Sequence, residues 1–272
     1  MLERTILTVF LLLWTQDCVR SVRLTELRVP TDMPEGGMAL LSCHYDMGAD
    51  TLYSIKWYKG GQEFYRYVPK NEPPLYKFPV PGVNVDLSRS SNTVVALLNL
   101  TQESAGVYRC EVSGEAPNFT TVHKERRINV YLLPKTGPHV SGLKKEYNLD
   151  EILVANCSLP PTSKATLKWL MNDRPAPPEY IQGPWVTVSA DRPDVGKTTL
   201  QIGFIVSPTD FVNGAMKLKC QATIPPLYQS ETESIHYLAQ AVPVKEANTI
   251  ASASVVSFAT ANNDANVNND IA

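Results

Sequence analysis

Apolar and polar residues alternate with a period of two in several short stretches of the chain. In Ala39-Leu40-Leu41-Ser42-Cys43 the odd positions form one apolar face, and in Leu153-Val154-Ala155-Asn156-Cys157 they do so again. A period of two is the mark of a strand with one face buried, so residues 39, 41 and 43, and 153, 155 and 157, are predicted to face a core. Thr198-Thr199-Leu200-Gln201-Ile202 reads as a further strand. Two glycines, Gly60-Gly61, sit between the apolar-rich segments 52–59 and 62–68 and predict a two-residue hairpin turn. The 21 prolines and 14 glycines fit many short extended segments and turns and disfavour a helical bundle.

The two ends of the chain follow other patterns. Ile6–Trp14 is a short apolar run behind Arg4, followed by small and polar residues. That is the shape of a secretory signal, too short to span a bilayer, with cleavage expected after Ser21. The alternative is a buried N-terminal strand. After about residue 240, the only apolar patch is Ile250–Phe258, too short and too Ser-rich for a membrane span, and the final residues are Asn-rich and polar. A secreted, extracellular product with a disordered tail is expected. The domains expected are residues 1–21 signal, 22–133 first domain, 134–240 second domain and 241–272 tail, joined at Leu132–Pro138 by a short, stiff connector. At 272 residues the length suits two small domains. A net charge of −2 supplies no broad electrostatic drive toward nucleic acid or anionic lipid.

Removing the signal takes Cys18 with it and leaves Cys43, Cys110, Cys157 and Cys220. Four cysteines in a secreted chain read as two disulfides with three connectivities open. The separations of 67 and 63 residues favour sequential pairing, Cys43–Cys110 and Cys157–Cys220, which makes two self-contained units. Zinc is the rival use, but the sequence has no Cys-x-x-Cys pair. Each unit also carries a tryptophan soon after its first cysteine: Trp57, 14 residues on, and Trp169, 12 residues on. Cys, Trp and Cys at these offsets define an immunoglobulin sandwich, in which the indole packs on the bridge between sheets. Tyr108, two residues before Cys110, holds the position of the tyrosine corner; Leu218 replaces it in the second unit. The fold class expected is therefore all-β, with two tandem immunoglobulin-like sandwiches. The first has room for extra strands after Trp57 and is variable-type. The second has Pro175, Pro177 and Pro178 there and is constant-like or intermediate.

The first unit resembles the beaten path family. The similarity lies in Leu52-Tyr53-Ser54-Ile55-Lys56-Trp57-Tyr58-Lys59, in Glu63-Phe64-Tyr65-Arg66-Tyr67-Val68-Pro69, in Phe78–Asp86 and in Tyr108-Arg109-Cys110-Glu111-Val112-Ser113. It covers most of the first domain closely and the second loosely. The resemblance implies a neuronal recognition protein, secreted or on the cell surface, acting in axon guidance and cell adhesion. Its partners would be Sidestep-family immunoglobulin receptors on other cells, bound through the first domain. A soluble immune or pathogen-binding protein is the alternative, since a fold does not fix a function.

Hairpin parity gives a candidate surface. A regular register from Gly60-Gly61 pairs Trp57 with Phe64, Lys56 with Tyr65 and Ser54 with Tyr67, and cross-strand partners share a face. With Trp57 and Cys110 inward, the outer face of strands C, C′ and F carries Lys56, Tyr58, Glu63, Tyr65, Tyr67, Arg109 and Glu111. Tyrosines interleaved with charges have the composition of a binding hot spot; the alternative is an ordinary amphipathic sheet. Sequons place candidate glycans at Asn99 and Asn156, both expected to point outward from strands, and at Asn118 in the loop before strand G. No catalytic constellation, metal spacing or cofactor motif assembles, so no enzyme and no cofactor are expected. Gly196-Lys197-Thr198-Thr199 lacks the first glycine of a phosphate loop and reads as a hairpin turn. Lys124-Glu125-Arg126-Arg127 reads as a solvated strand face, with a weak contact to sulfated glycans as its alternative use.

Overall fold

The computed structural model describes residues 21–239. The expected signal, Cys18 and the expected tail lie outside these residues, apart from Ser21.

The first sandwich contains β1 (Arg23–Arg28), β2 (Asp32–Pro34), β3 (Ala39–Asp46), β4 (Leu52–Lys59), β5 (Gln62–Tyr67), β6 (Leu75–Lys77), β7 (Val85–Asp86), β8 (Val94–Leu97), β9 (Gly106–Gly114) and β10 (Thr121–Tyr131). One sheet has the order β1-β3-β8-β7 and the other β2-β10-β9-β4-β5-β6. The extra strands β5 and β6 after the Trp57 strand are the variable-type addition. Cys43 bridges to Cys110 across the two sheets, and Trp57, Leu41, Ile55 and Val112 pack around the bridge, almost wholly buried. The tyrosine corner is present: the Tyr108 hydroxyl donates to Ser104 O at 2.7 Å.

The second sandwich contains β11 (His139–Ser141), β12 (Glu146–Tyr147), β13 (Ile152–Thr162), β14 (Thr166–Met171), β15 (Arg174–Pro175), β16 (Ile181–Val188), β17 (Gly196–Ile205), β18 (Ala215–Ile224) and β19 (Tyr228–Leu238). Its sheets run β11-β13-β17-β16 and β12-β19-β18-β14-β15, closed by Cys157–Cys220. The strand after Trp169 shrinks to the two residues of β15, because the prolines there cannot donate to a ladder. Trp169 Nε1 donates to Leu200 O at 3.1 Å across the core. Leu218 is fully buried where the corner tyrosine would stand. Asn172 holds the preceding loop instead, its Nδ2 donating to Asp210 O at 2.9 Å while its Oδ1 accepts from Lys217 N at 3.0 Å. Gly196–Thr199 lies in the β16–β17 ladder and not at its turn.

The two sandwiches meet at the connector. Leu132 N donates to Ser163 Oγ at 2.8 Å, and Leu132 O accepts from Ser163 N and from the Thr162 hydroxyl. Arg192 reaches Glu35 of the first sandwich at 3.3 Å.

Candidate recognition surface

The surface is built on the β4–β5 hairpin. Gly60 and Gly61 take φ of +54° and +86°, the left-handed values that a type I′ turn needs at both central residues. The turn sets Lys59 opposite Gln62 and Tyr58 opposite Glu63, as parity requires. Beyond that pair the ladder shifts: Trp57 faces Tyr65, Lys56 faces Arg66 and Ile55 faces Tyr67. Phe64 is the extra residue of a β-bulge.

The bulge corrects the expected face. With one unpaired residue inserted, every later side chain on β5 changes sides. Phe64 and Tyr65 both turn inward and are fully buried. The Phe64 ring meets Tyr108 edge-on at 5.7 Å, and the Tyr65 hydroxyl donates to Ser91 O at 2.8 Å. Tyr67, paired with the buried Ile55, packs partly buried against the same core. Tyr65 and Tyr67 therefore leave the outer face, and Arg66, which parity had pointed inward, joins it. The physical reason is burial: two adjacent aromatic side chains gain more from entering the core than regular pairing gains from excluding one.

The remaining expected residues do come together. Two rows cross the sheet: His123, Glu111, Lys56, Arg66 and Tyr76 in one, and Glu125, Arg109, Tyr58 and Glu63 in the next. At their centre the Arg109 guanidinium lies 4.6 Å from the Tyr58 ring centroid, a cation–π contact. The Tyr58 hydroxyl donates to Glu111 Oε1 at 3.1 Å. Partial burial, then the nearby Glu111 carboxylate, push the Tyr58 pKa up to about 12. Glu63 takes Arg66 in a two-point grip, at 2.6 Å from Nε and 2.9 Å from Nη2, and the same guanidinium lies 5.4 Å from the Phe78 ring. Arg109 Nε is buried without an acceptor. The face thus combines one clamped tyrosine with charges that neutralise one another.

Parity missed two aromatics at the β9–β10 end. Tyr53 is 53% exposed and Phe119 71% exposed. Phe119 adopts φ of +48°, a left-handed conformation uncommon for a bulky residue. Its place in the loop after β9 was the available signal. Asn118 is exposed beside it, with Nδ2 donating to Asp50 Oδ1 at 2.7 Å. Asn99 is exposed at φ of +50° just past β8, not within a strand. Asn156 is outward on β13, between buried Ala155 and Cys157. Strand alternation divides the basic stretch: Glu125 and Arg127 lie on the outer face, whereas Lys124 and Arg126 lie on the other, where Lys124 Nζ donates to Leu24 O at 3.0 Å. Among the described residues, no three His, Cys, Asp or Glu side chains cluster as metal ligands, and no helix is long and apolar enough to cross a membrane.

The fold is that of two immunoglobulin-like sandwiches. Residues 28–133 match the Immunoglobulin V-set domain family. The crystal structure of murine CEACAM1b is similar, with a TM-score of 0.54 at 19% identity, covering 79% of this chain and 100% of that one. The mouse coronavirus receptor-binding domain complexed with its murine receptor aligns at 0.50 and 18% identity, covering 80% of this chain and 96% of the other. At such identities the likeness is one of fold. No curated protein is significantly similar in sequence.

Proposed function

We propose that this chain is a secreted, glycosylated recognition protein whose first domain binds a protein partner through the outer β9–β4–β5 face. The partner class is the Sidestep-family immunoglobulin receptors, and the roles are axon guidance and cell adhesion. The observation that carries the reading is Tyr58, an aromatic held flat under Arg109 and bonded to Glu111 at the centre of an outward sheet. Such a side chain has little conformational entropy left to lose on binding, which is what concentrates affinity at aromatic anchors. The resemblance of segments 52–69, 78–86 and 108–113 to the beaten path family supplies the partner class and the biological role.

The test is a binding panel. The full chain, expressed in secreting cells, is presented to neuronal immunoglobulin receptors and, in parallel, to microbial surfaces. Binding to a Sidestep-family receptor is expected, and Tyr58→Ala should weaken it about tenfold, equivalent to ~1.4 kcal/mol. Glu63, Arg66 and Lys56 contribute charge and no aromatic anchor, so their loss should act mainly on association rate and its salt dependence. Binding to microbial surfaces without any receptor would instead favour the soluble immune reading. A receptor interaction untouched by Tyr58→Ala would move the contact off this face.

A further inference from the structure

The β11-β13-β17-β16 sheet of the second sandwich turns an unusually apolar face to water. On its inner side Leu153, Ala155, Cys157 and Leu159 are fully buried. On its outer side Ile152 pairs with Ile205, and Val154 pairs with Gly203. Ile152 is 69% exposed, Ile205 62% and Val154 44%. Gly203 adds no side chain, so a bare strip of backbone lies beside Val154. Contiguous exposed apolar surface on a soluble domain normally has something that covers it.

The sequence places a candidate cover within reach. Asn156 stands on the same face, two residues along β13 from Val154, or about 7 Å. Its neighbours across the ladder are Ser141 and Gln201, small or flexible and polar. With Cys157 and Ser158 it forms a sequon. Toward Ser158 the neighbours are Thr199 and His139, polar again. The aliphatic strip lies in the other direction, although the half-exposed Trp185 stands opposite Thr199 on the next strand, β16.

We propose that an N-linked glycan on Asn156 is this cover, its first sugars lying over Val154, Gly203 and Ile205. A pyranose ring has an apolar C–H face and a hydroxyl rim. It can therefore rest on valine and isoleucine while presenting hydroxyls to water, and the sheet is kept from pairing with a second copy. In the modification, the Asn156 side-chain nitrogen bonds to the anomeric carbon of a lipid-pyrophosphate-linked oligosaccharide. The anomeric C–O bond breaks, the lipid pyrophosphate leaves with the electron pair, and the amide gives up one proton. The inference rests on the extracellular reading above, because only a chain entering the secretory route meets that donor.

The experiment uses the full chain from secreting eukaryotic cells. Glycopeptide mass spectrometry reads occupancy at Asn156. Sedimentation velocity and apolar-dye binding compare wild type, Asn156→Gln and Ser158→Ala. The expected result is an occupied Asn156, a monomeric wild type, and sequon-free variants that self-associate and bind more dye. Adding Ile205→Glu to Asn156→Gln should restore the monomer. If the variants fail to fold, enzymatic glycan removal from purified protein carrying Asn99→Gln and Asn118→Gln gives the same readout on a folded chain. Secretion with Asn156 bare overturns this inference alone, whereas retention inside the cell without any glycan overturns the extracellular reading with it. A sequon-free or deglycosylated protein that stays monomeric, with no gain in dye binding, refutes the cover. So does a glycosylated wild type that dimerises and is made monomeric by Ile205→Glu.

Discussion

Replacing Tyr65 tests the bulge directly, because the regular and bulged hairpins give that side chain opposite environments. In a regular hairpin it stands in solvent and can be removed at little cost. In the bulged hairpin it is fully buried beside Trp57, and its hydroxyl donates to Ser91 O at 2.8 Å. Burying an aromatic side chain withdraws roughly 150–250 Å² from water. At about 25 cal/mol per Å² that amounts to roughly 4–6 kcal/mol, an upper bound because unfolded chains are already partly compact. Aromatic-to-alanine changes in cores cost about 3–5 kcal/mol, so Tyr65→Ala should destabilise the first sandwich by about 4 kcal/mol. Tyr65→Phe keeps the ring and removes only the donor to Ser91, for about 1 kcal/mol. Tyr58→Ala, which loses one cation–π contact and one hydrogen bond on a half-exposed face, should cost no more than about 1.5 kcal/mol. The assay is urea unfolding of the full chain, followed by hydrogen exchange on peptides from each sandwich. The second sandwich, closed by Cys157–Cys220, is the internal reference. If Tyr65→Ala leaves the first sandwich at wild-type stability while Phe64→Ala unfolds it, the register is regular and the outer face must be redrawn with Tyr65 on it.

Three further outcomes follow from single contacts. Tyr58 has a folded-state pKa raised from 10.0 to about 12, so its contribution is intact below pH 10 and is lost as pH climbs toward 12. The ultraviolet titration of wild type minus Tyr58→Phe should show one late-ionising phenol, and Glu111→Gln should make it ionise earlier. Asn172, at φ of +48°, replaces the missing tyrosine corner with two side-chain hydrogen bonds. Asn172→Ala should cost the second sandwich about 2–3 kcal/mol in denaturant unfolding, and Asn172→Gly less because glycine tolerates that backbone. His236 is buried, with Nδ1 on Lys144 O at 2.5 Å and Nε2 on Ser234 Oγ at 2.8 Å, and burial lowers its pKa below 6.5. Stability of the second sandwich should hold above that value and fall as pH drops below it. An acid dependence that survives His236→Gln would place the cause elsewhere.

What the sequence disclosed and what it withheld divide along a physical line. The disulfides, Trp57 and Trp169 at their offsets, the Tyr108 corner and the Gly60-Gly61 turn are each fixed by a short-range or covalent requirement, and each stands where the spacing put it. The hairpin register beyond Glu63 is not of that kind. It is decided by how much aromatic surface the core can accept, which depends on Tyr108 and Ser91, far away in sequence. A trace of it was nonetheless written in the chain: Phe64 and Tyr65 are adjacent, and strict alternation would have exposed one. Asn172 shows the same limit, since its partners Asp210 and Lys217 come from a distant loop and strand.

The bulge also changes what kind of partner the face can hold. Three outward tyrosines would have offered an apolar anchor line. One tyrosine between Arg109 and Glu111, beside a closed Glu63–Arg66 pair, offers instead a balanced charge net with a single aromatic centre. A partner that brought only apolar surface would strand those charges away from water at a cost its contacts could not offset. The complementary surface must therefore supply polar groups that meet the rows in register. On this argument specificity resides in the order of charges along the rows, Glu111 beside Lys56 and Arg66 in one and Glu125, Arg109 and Glu63 in the next, and affinity in Tyr58. Charge reversals along the rows should then exchange partners more readily than they abolish binding.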